Sequence, residues 1–304
     1  VSGVALPLED VMMVSPFVRR RRLAMEILRL RDEYGFSADR LASAVGVKRQ
    51  TISRIENGHV RPDPDLIMRI LAVFNVGEKR WAQIMTIARE AQERGWWERH
   101  AEQMGPRQAL AASLESGAQR IFEYKMTLLP GLLQTPTFSQ ARVHADPSAH
   151  TEGVEPARAL EARITRQRLL DRPGAPVYEV VVDELTIRRI AAPVAVVGGQ
   201  LRHLADLGHA QEQVTIRVLP IAASIAGHVV PRSAFSIYRY PDSADPIVPS
   251  VDTITSDLVL TDAVDVGHYL TLYDHLRAAA LTPERTIDFL AAVTEELPEH
   301  QGAI

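Results

Sequence analysis

The stretch from Ser37 to Gly58, SADRLASAVGVKRQTISRIENG, constrains the chain more than any other. Ser37 is a good N-cap, and Leu41, Ala42 and Val45 then recur on one face of a short helix. Gly46-Val47 interrupts the pattern. From about Lys48 it resumes with Thr51, Ile52 and Ile55 turned inward, and Asn57-Gly58 ends it. Two short helices around a glycine break cannot bury their apolar faces alone. Leu23, Ile27 and Leu30 before them predict a first helix ending near Gly35. Leu66, Ile67, Ile70, Leu71 and Phe74, after Asp63 or Asp65 as cap, predict a fourth. A fifth runs from Gly77 to about Arg94. The sum is a compact all-α domain of five helices over residues 16–94.

The second and third helices form a helix-turn-helix arrangement. With Ile52 and Ile55 inward, Arg49, Gln50, Ser53 and Arg54 occupy the opposite side. Arg matches the two acceptors of guanine in the major groove, and Gln matches the donor–acceptor pair of adenine. Charge agrees. The chain carries a net −4, yet Phe17 to Arg80 holds 14 Lys and Arg against 8 Asp and Glu, and the remainder holds 20 against 30. A basic module is attached to an acidic one.

Leu41-Ala42, Gly46-Val47, Thr51-Ile52-Ser53 and Arg54-Ile55-Glu56-Asn57-Gly58 together resemble the phage-repressor (XRE) type of helix-turn-helix, from about Arg19 to Gly77. The resemblance implies base contacts by Arg49, Gln50 and Arg54, with Ser53 beside them, and phosphate contacts by Lys48, Thr51, Asn57 and Arg61. It also implies a partly buried structural ion pair between Arg31 and Glu56. Two positions depart from the pattern: Ala38 stands where many relatives have a phosphate-gripping Gln, and Lys48 stands where Ser or Thr often caps the recognition helix. Arg19 to Arg22 place four positive charges at a helix start, against the helix dipole. The run is expected either to lie solvated or to meet a phosphate.

Residues 95–108 read as a linker. Its adjacent Trp96 and Trp97 are expected to pack against protein rather than stack on bases. Residues 109–304 mix helical spacing with strand-like runs at 121–129, 177–182, 214–219, 234–240 and 247–254. That order predicts an α+β (mixed α/β) domain with a sheet of about four strands. Helices are expected at 156–171, 201–207, 264–276 and 286–297, the last with Thr282 as cap and Pro283 at its first position.

Further motifs widen the resemblance. PGLLQT at 130–135, EARITRQ at 161–167, VVVDE at 180–184, VLP at 218–220, Gly227-His228 and LRAAALTPE at 276–284 span most of 109–290. With the helix-turn-helix they resemble a large actinobacterial family of XRE-type regulators with an uncharacterised, antitoxin-like C-terminal domain. Membership would imply a transcriptional regulator working with a small protein partner. Residues 190–193, Ile-Ala-Ala-Pro, replace the Arg-rich, Gly-containing loop usual there.

Chemistry in the acidic part is sparse. HExxH, GxSxG, Walker A and GxGxxG motifs are absent, and there is no Cys. His203 and His209 fall on different faces of a helix, and His268 and His275 lack a completing carboxylate, so no metal is expected. No set joins nucleophile, base and orienting group, so no catalysis and no cofactor are expected. Asp183 is expected to cap the helix after its strand. Gln134, Arg163, Gln167, Glu184 and His228 are the candidates for an effector pocket. The longest apolar run, near 190–199, is too short for a bilayer, which takes about 20 residues. The first residues lack a secretory pattern, and a cytoplasmic, non-membrane protein is expected.

The reading is a regulator that binds double-stranded DNA as a homodimer on a near-palindromic operator. A small-molecule effector or protein partner would act through the C-terminal domain. The alternative is an antitoxin-like protein that binds a cognate small protein and autoregulates its operon.

Overall fold

The computed structural model describes residues 14–58, 60–145, 156–253 and 256–298. Residues 1–13, whose lack of helical period suggested a loose start, lie outside these, as does Ile254 of the expected fifth strand. The chain divides into two compact units. One holds the residues up to Glu98, completed by Ser113–Ala118 and Tyr240–Pro246 from far along the chain; the other holds Arg99–Ala112, Gln119–Arg239 and the residues from Ile247 onward.

The first unit is helical: α1 (Pro16–Glu33), α2 (Ala38–Val45), α3 (Arg49–Glu56), α4 (Pro64–Val73), α5 (Glu78–Glu90) and the single turn α6 (Trp96–Arg99). Local chemistry sets most of these boundaries. Ser15 Oγ caps α1, Ser37 Oγ accepts from Arg40 N–H to cap α2, and Asp63 caps α4 through Asp65 N–H. Gly46 ends α2 at φ 71°, a left-handed conformation costly for other residues. The core is one cluster in which Ile27 and Leu30 of α1, Leu41 of α2, Ile52 and Ile55 of α3, Ile67 and Ile70 of α4 and Ile84 of α5 are almost fully buried. Trp97 is also buried, with its ring edge-on to Trp96.

The second unit is built on a six-stranded mixed sheet: β1 (Arg120–Lys125), β2 (Val177–Asp183), β3 (Val214–Leu219), β4 (Phe235–Arg239), β5 (Val248–Val251) and β6 (Leu258–Val259). The order is β3-β2-β1-β4-β5-β6, parallel across β1, β2 and β3 and antiparallel from β1 through β6. About four strands were expected; β6 has only two residues and no alternation to reveal it.

The helices here are α7 (Ala101–Glu115), bent where Gly105 adopts φ 71°, α8 (Pro136–Ala145), α9 (Pro156–Gln167), α10 (Glu184–Arg188), α11 (Val194–Ala210), α12 (Ala263–Ala279) and α13 (Pro283–Glu295). Asp183 and Thr282 cap α10 and α13. One face of the sheet packs under α12, where Tyr124, Val181, Phe235 and Ile237 meet Tyr273 and Leu276. α11 begins seven residues earlier than the expected 201–207 segment. Its first turns, Val-Ala-Val-Val-Gly-Gly, are weak helix formers, but Val197, Gly198 and Leu201 are buried there, and a Cβ on Gly198 would come within 3.3 Å of Leu297. Tertiary packing decides that helix.

Candidate nucleic-acid interface

The turn between α2 and α3 is three residues, Gly46, Val47 and Lys48, and α3 projects with only Ile52 and Ile55 buried. Lys48, Arg49, Gln50, Ser53, Arg54 and Asn57 are all exposed, and Thr51 is half-buried. Lys48 is the N-cap of α3 but makes no side-chain capping bond, leaving the first N–H groups of the helix available to an anion. Arg49 lies 3.5 Å from Asp39 in a largely exposed pair, which is worth little. Among the described residues no carboxylate pairs with Lys48 or Arg54. Four side chains able to read base edges thus share one solvent-facing side of an eight-residue helix.

Two of the residues assigned to phosphate are otherwise engaged. Asn57 Nδ2 donates to the Ser53 carbonyl at 2.8 Å and to Ser53 Oγ at 3.3 Å, so its amide hydrogens close the end of α3. Arg61 is ion-paired with Glu98; burial and the nearby Arg94 lower its pKa.

The far end of α3 is held from behind. Arg31 Nε donates to Glu56 Oε1 at 2.7 Å, and Arg31 Nη1 donates to the Phe36 carbonyl at 2.9 Å. One guanidinium therefore ties α1, the turn before α2 and α3 together. Gly58, at φ 61°, passes so close to α1 that a Cβ would meet the Arg20 carbonyl oxygen at 3.2 Å and Arg21 Cδ at 3.1 Å. Gly58→Ala is expected to destabilise the chain by about 2 kcal/mol or more, since a left-handed L-residue alone costs roughly 1–2 kcal/mol. Gly35→Ala, at φ 63° with nothing within 4 Å, should cost only the conformational part. Equal urea midpoints for the two variants would show that the approach to Arg20 carries no weight.

The basic run departs from both expectations. Each of its arginines has an acceptor within the helical unit. Arg19 Nη1 donates to Asp245 Oδ1 at 2.9 Å, and Arg19 Nε lies 2.8 Å from Glu90 Oε2, close enough for an ion pair though not aligned as a hydrogen bond. Arg22 pairs with Asp242 and, at 3.3 Å, with Asp245. Arg20 and Arg21 donate to the carbonyls of Ala91 and Asn57, and burial lowers the pKa of both. Burial also opposes the charge on Arg22, but its bonds to Asp242 and Asp245 outweigh that and raise its pKa. Ser15 Oγ adds a bond to the Ser113 carbonyl, and Tyr240 Oη one to the Leu114 carbonyl. Arg19 and Arg22 clamp Tyr240–Pro246, and Ser15 just before them holds Ser113–Ala118. No local signal could have paired Arg19 with a residue 226 positions away.

Of the effector-pocket candidates, three come together. Gln167 Nε2 donates to the carbonyls of Gly131 and Gln134, and Arg163 Nη1 lies 3.2 Å from Gln134 Oε1. Gln134 Nε2 also donates to the Leu129 carbonyl, and Ser139 Oγ donates to Gln134 Oε1. PGLLQT and EARITRQ thus form a hydrogen-bonded knot around the 130–135 turn. Glu184 accepts from Ile221 N–H at 2.9 Å and from Arg188 Nε at 2.6 Å. Burial opposes its ionisation, but those two donors outweigh it and hold its pKa below the usual range. Exposed His228, at φ 54°, makes no bond to Glu184 or to the knot among the described residues. No group of three or more His, Asp or Glu able to hold a metal gathers among the described residues, and no helix there is long and apolar enough to cross a membrane.

A helix-turn-helix whose second helix turns Arg, Gln, Ser and Arg to solvent defines a DNA-binding regulator, and residues 27–81 match the family described as Helix-turn-helix. Residues 108–292 match the Domain of unknown function (DUF5753); with more than half of its length matched, the chain belongs to that family. No curated protein and no solved structure matches it.

Proposed function

We propose that the chain is a sequence-specific transcriptional regulator that binds a near-palindromic operator as a homodimer and is controlled through its sheet-containing C-terminal region by a small-molecule effector or a protein partner. The observation that carries this is the outward row Arg49, Gln50, Ser53 and Arg54 on α3, free of any buried contact. In this reading Arg49, Gln50 and Arg54 read bases with Ser53 beside them, while Lys48, Thr51 and the uncapped start of α3 meet phosphate. Asn57 reaches a phosphate only by releasing its side-chain amide from Ser53. Arg61 reaches a phosphate only by releasing Glu98. Arg31 and Glu56 hold the helix without touching DNA.

Dimerisation follows from energy rather than from contacts seen. One short helix addresses a few base pairs, each good bidentate contact discriminating by about 1–3 kcal/mol. Specificity across a genome then requires two half-sites. Selection from random duplexes with the full chain is expected to enrich two inverted half-sites spaced by about one helical turn. Enrichment of a single half-site would remove the dimer; enrichment of nothing would remove sequence-specific reading.

A further inference from the structure

β1, β2 and β3 run parallel, so their C-terminal ends lie along one end of the sheet, and antiparallel β4 begins there with Phe235 opposite Tyr124. Three connections gather at that end: residues 126–131 after β1, 184–193 after β2, and 220–234 from β3 into β4. Hydrogen bonds join their roots. Tyr124 Oη donates to Asp183 Oδ2 at 3.0 Å, and Ile221 N–H donates to Glu184 Oε2 at 2.9 Å. Four neighbouring strand ends span about 15 Å, at roughly 4.8 Å per strand.

These connections carry Leu128, Leu185, Ile190, Ile221, Val229 and Val230, six of the nine large apolar side chains that stand exposed among the described residues of the sheet-containing unit. Ile221 is 63% exposed and Val230 78%. Together the six expose on the order of 500 Å², the scale at which an apolar patch marks an interaction site. Burial was within reach for part of the same chain. Ala223 and Ile225 pack into the cluster under α12, whereas the turn after them, with His228 at φ 54°, leaves Val229 and Val230 outside.

Charge tells what such a surface fits. The three connections contain one carboxylate, Glu184, and three arginines. Glu184 is engaged by Ile221 N–H and Arg188. Arg189, next to Ile190, and Arg232, two residues after Val230, are exposed, and no carboxylate among the described residues pairs with either. A second copy on a two-fold axis would set these arginines against one another, with no free carboxylate in the connections to answer them. A membrane is held through clusters of about four to eight basic residues, more than this surface offers. We infer that this end of the sheet docks an acidic, aliphatic segment of a protein partner. Leu, Ile or Val side chains of the segment cover Ile221, Val229 and Val230, and its Asp or Glu residues lie beside Arg189 and Arg232. Burial of apolar surface supplies affinity, and the carboxylates supply selectivity. The surface gives a chemistry to the protein-partner input of the regulatory reading and rests on that reading for its consequence, not for its existence.

The test selects displayed segments of about 16 residues, randomised over Leu, Ile, Val, Asp, Glu, Lys and Ser, on the full chain. The recovered peptides are then measured by fluorescence anisotropy. Enriched segments are expected to combine aliphatic residues with net negative charge and to bind saturably. Ile221→Ser and Val230→Ser should each weaken the tightest peptide about tenfold, and Arg189→Glu combined with Arg232→Glu about tenfold or more. Exchanging the acids of the peptide for Lys should restore binding to the charge-reversed protein. All four side chains are exposed, so the variants are expected to melt like the parent; where an apolar variant does not, the charge exchange decides alone. Absence of a saturable binder, enrichment of basic segments, or unchanged affinity in the charge-reversed protein overturns the proposal. Two other results also overturn it. A dimer in sedimentation that Ile221→Ser or Val230→Ser dissociates, with no peptide added, gives the surface to a second copy. Flotation with vesicles of phosphatidylserine and phosphatidylcholine, lost in the charge-reversed protein, gives it to a membrane. Operator binding is measured on the same preparations: its loss with peptide binding intact counts against the DNA reading alone, and the converse counts against the docking surface alone.

Discussion

Arg19→Met is expected to destabilise the helical unit by about 2–4 kcal/mol, seen as a lower urea midpoint of its transition. Breaking one partner of a buried ion pair costs roughly 3–5 kcal/mol, and the figure is reduced here because Arg22 still reaches Asp245 at 3.3 Å. The Asp245 side chain is 1% exposed and Glu90 is largely covered, so water cannot readily replace the guanidinium. Burial raises the pKa of both acids, and Arg19 and Arg22 offset only part of that rise. Asp245→Leu added to Arg19→Met should recover part of the loss, because it removes the stranded charge. A midpoint that does not move in Arg19→Met would show that the clamp contributes nothing. The same contacts bear on a fragment ending at Arg94. From sequence it is expected to be a folded, weakly binding monomer, but it lacks Asp242, Asp245 and the Ser113 carbonyl, which Arg19, Arg22 and Ser15 engage. It is now expected to melt well below the same unit in the full chain.

The second large effect lies on DNA. Arg49→Ala or Gln50→Ala should remove discrimination at one or two base positions in each half-site. At about 1–3 kcal/mol per bidentate contact, a symmetric site loses roughly 5- to 150-fold per affected half-site. Preferences elsewhere in the site and overall fold stability should stay as they were, since neither side chain is buried. Lys48→Ala provides the contrast. Loss of a phosphate contact weakens all sequences alike and lowers the salt dependence by about one unit per head. Specificity profiles from randomised duplexes, with binding at several salt concentrations, separate the two. A uniform loss in Arg49→Ala would reassign that residue to the backbone.

What could be read from the chain depended on sequence separation. The helical unit was legible because its punctuation is local: Ser37, Asp63 and Gly46 fix caps and the turn within a few residues of the apolar faces they bound. The outward row on α3 follows from Ile52 and Ile55 by helical geometry alone. Thr282-Pro283 and Asp183 were legible for the same reason. β6 was not, being too short to alternate, and the start of α11 was not, because its glycines and β-branched residues form helix only under tertiary packing, with Gly198 close against Leu297. The clamp on Arg19 and Arg22 was least legible of all, since acidic loop residues such as Asp242 and Asp245 normally face solvent. The Gln134, Arg163 and Gln167 grouping was visible as two motifs, but nothing in their spacing distinguishes a ligand pocket from a turn held shut by its own hydrogen bonds.

Gly58 and Arg31 bear on how such a protein changes its target. Both grip α3 from its hidden side, whereas Arg49, Gln50 and Arg54 face outward and are not buried. In the proposed reading, anchorage and address lie on opposite sides of the same short rod. Exchanging the address should therefore leave the anchorage untouched, so a lineage carrying this scaffold can be redirected to new genes through a handful of substitutions that its stability does not register.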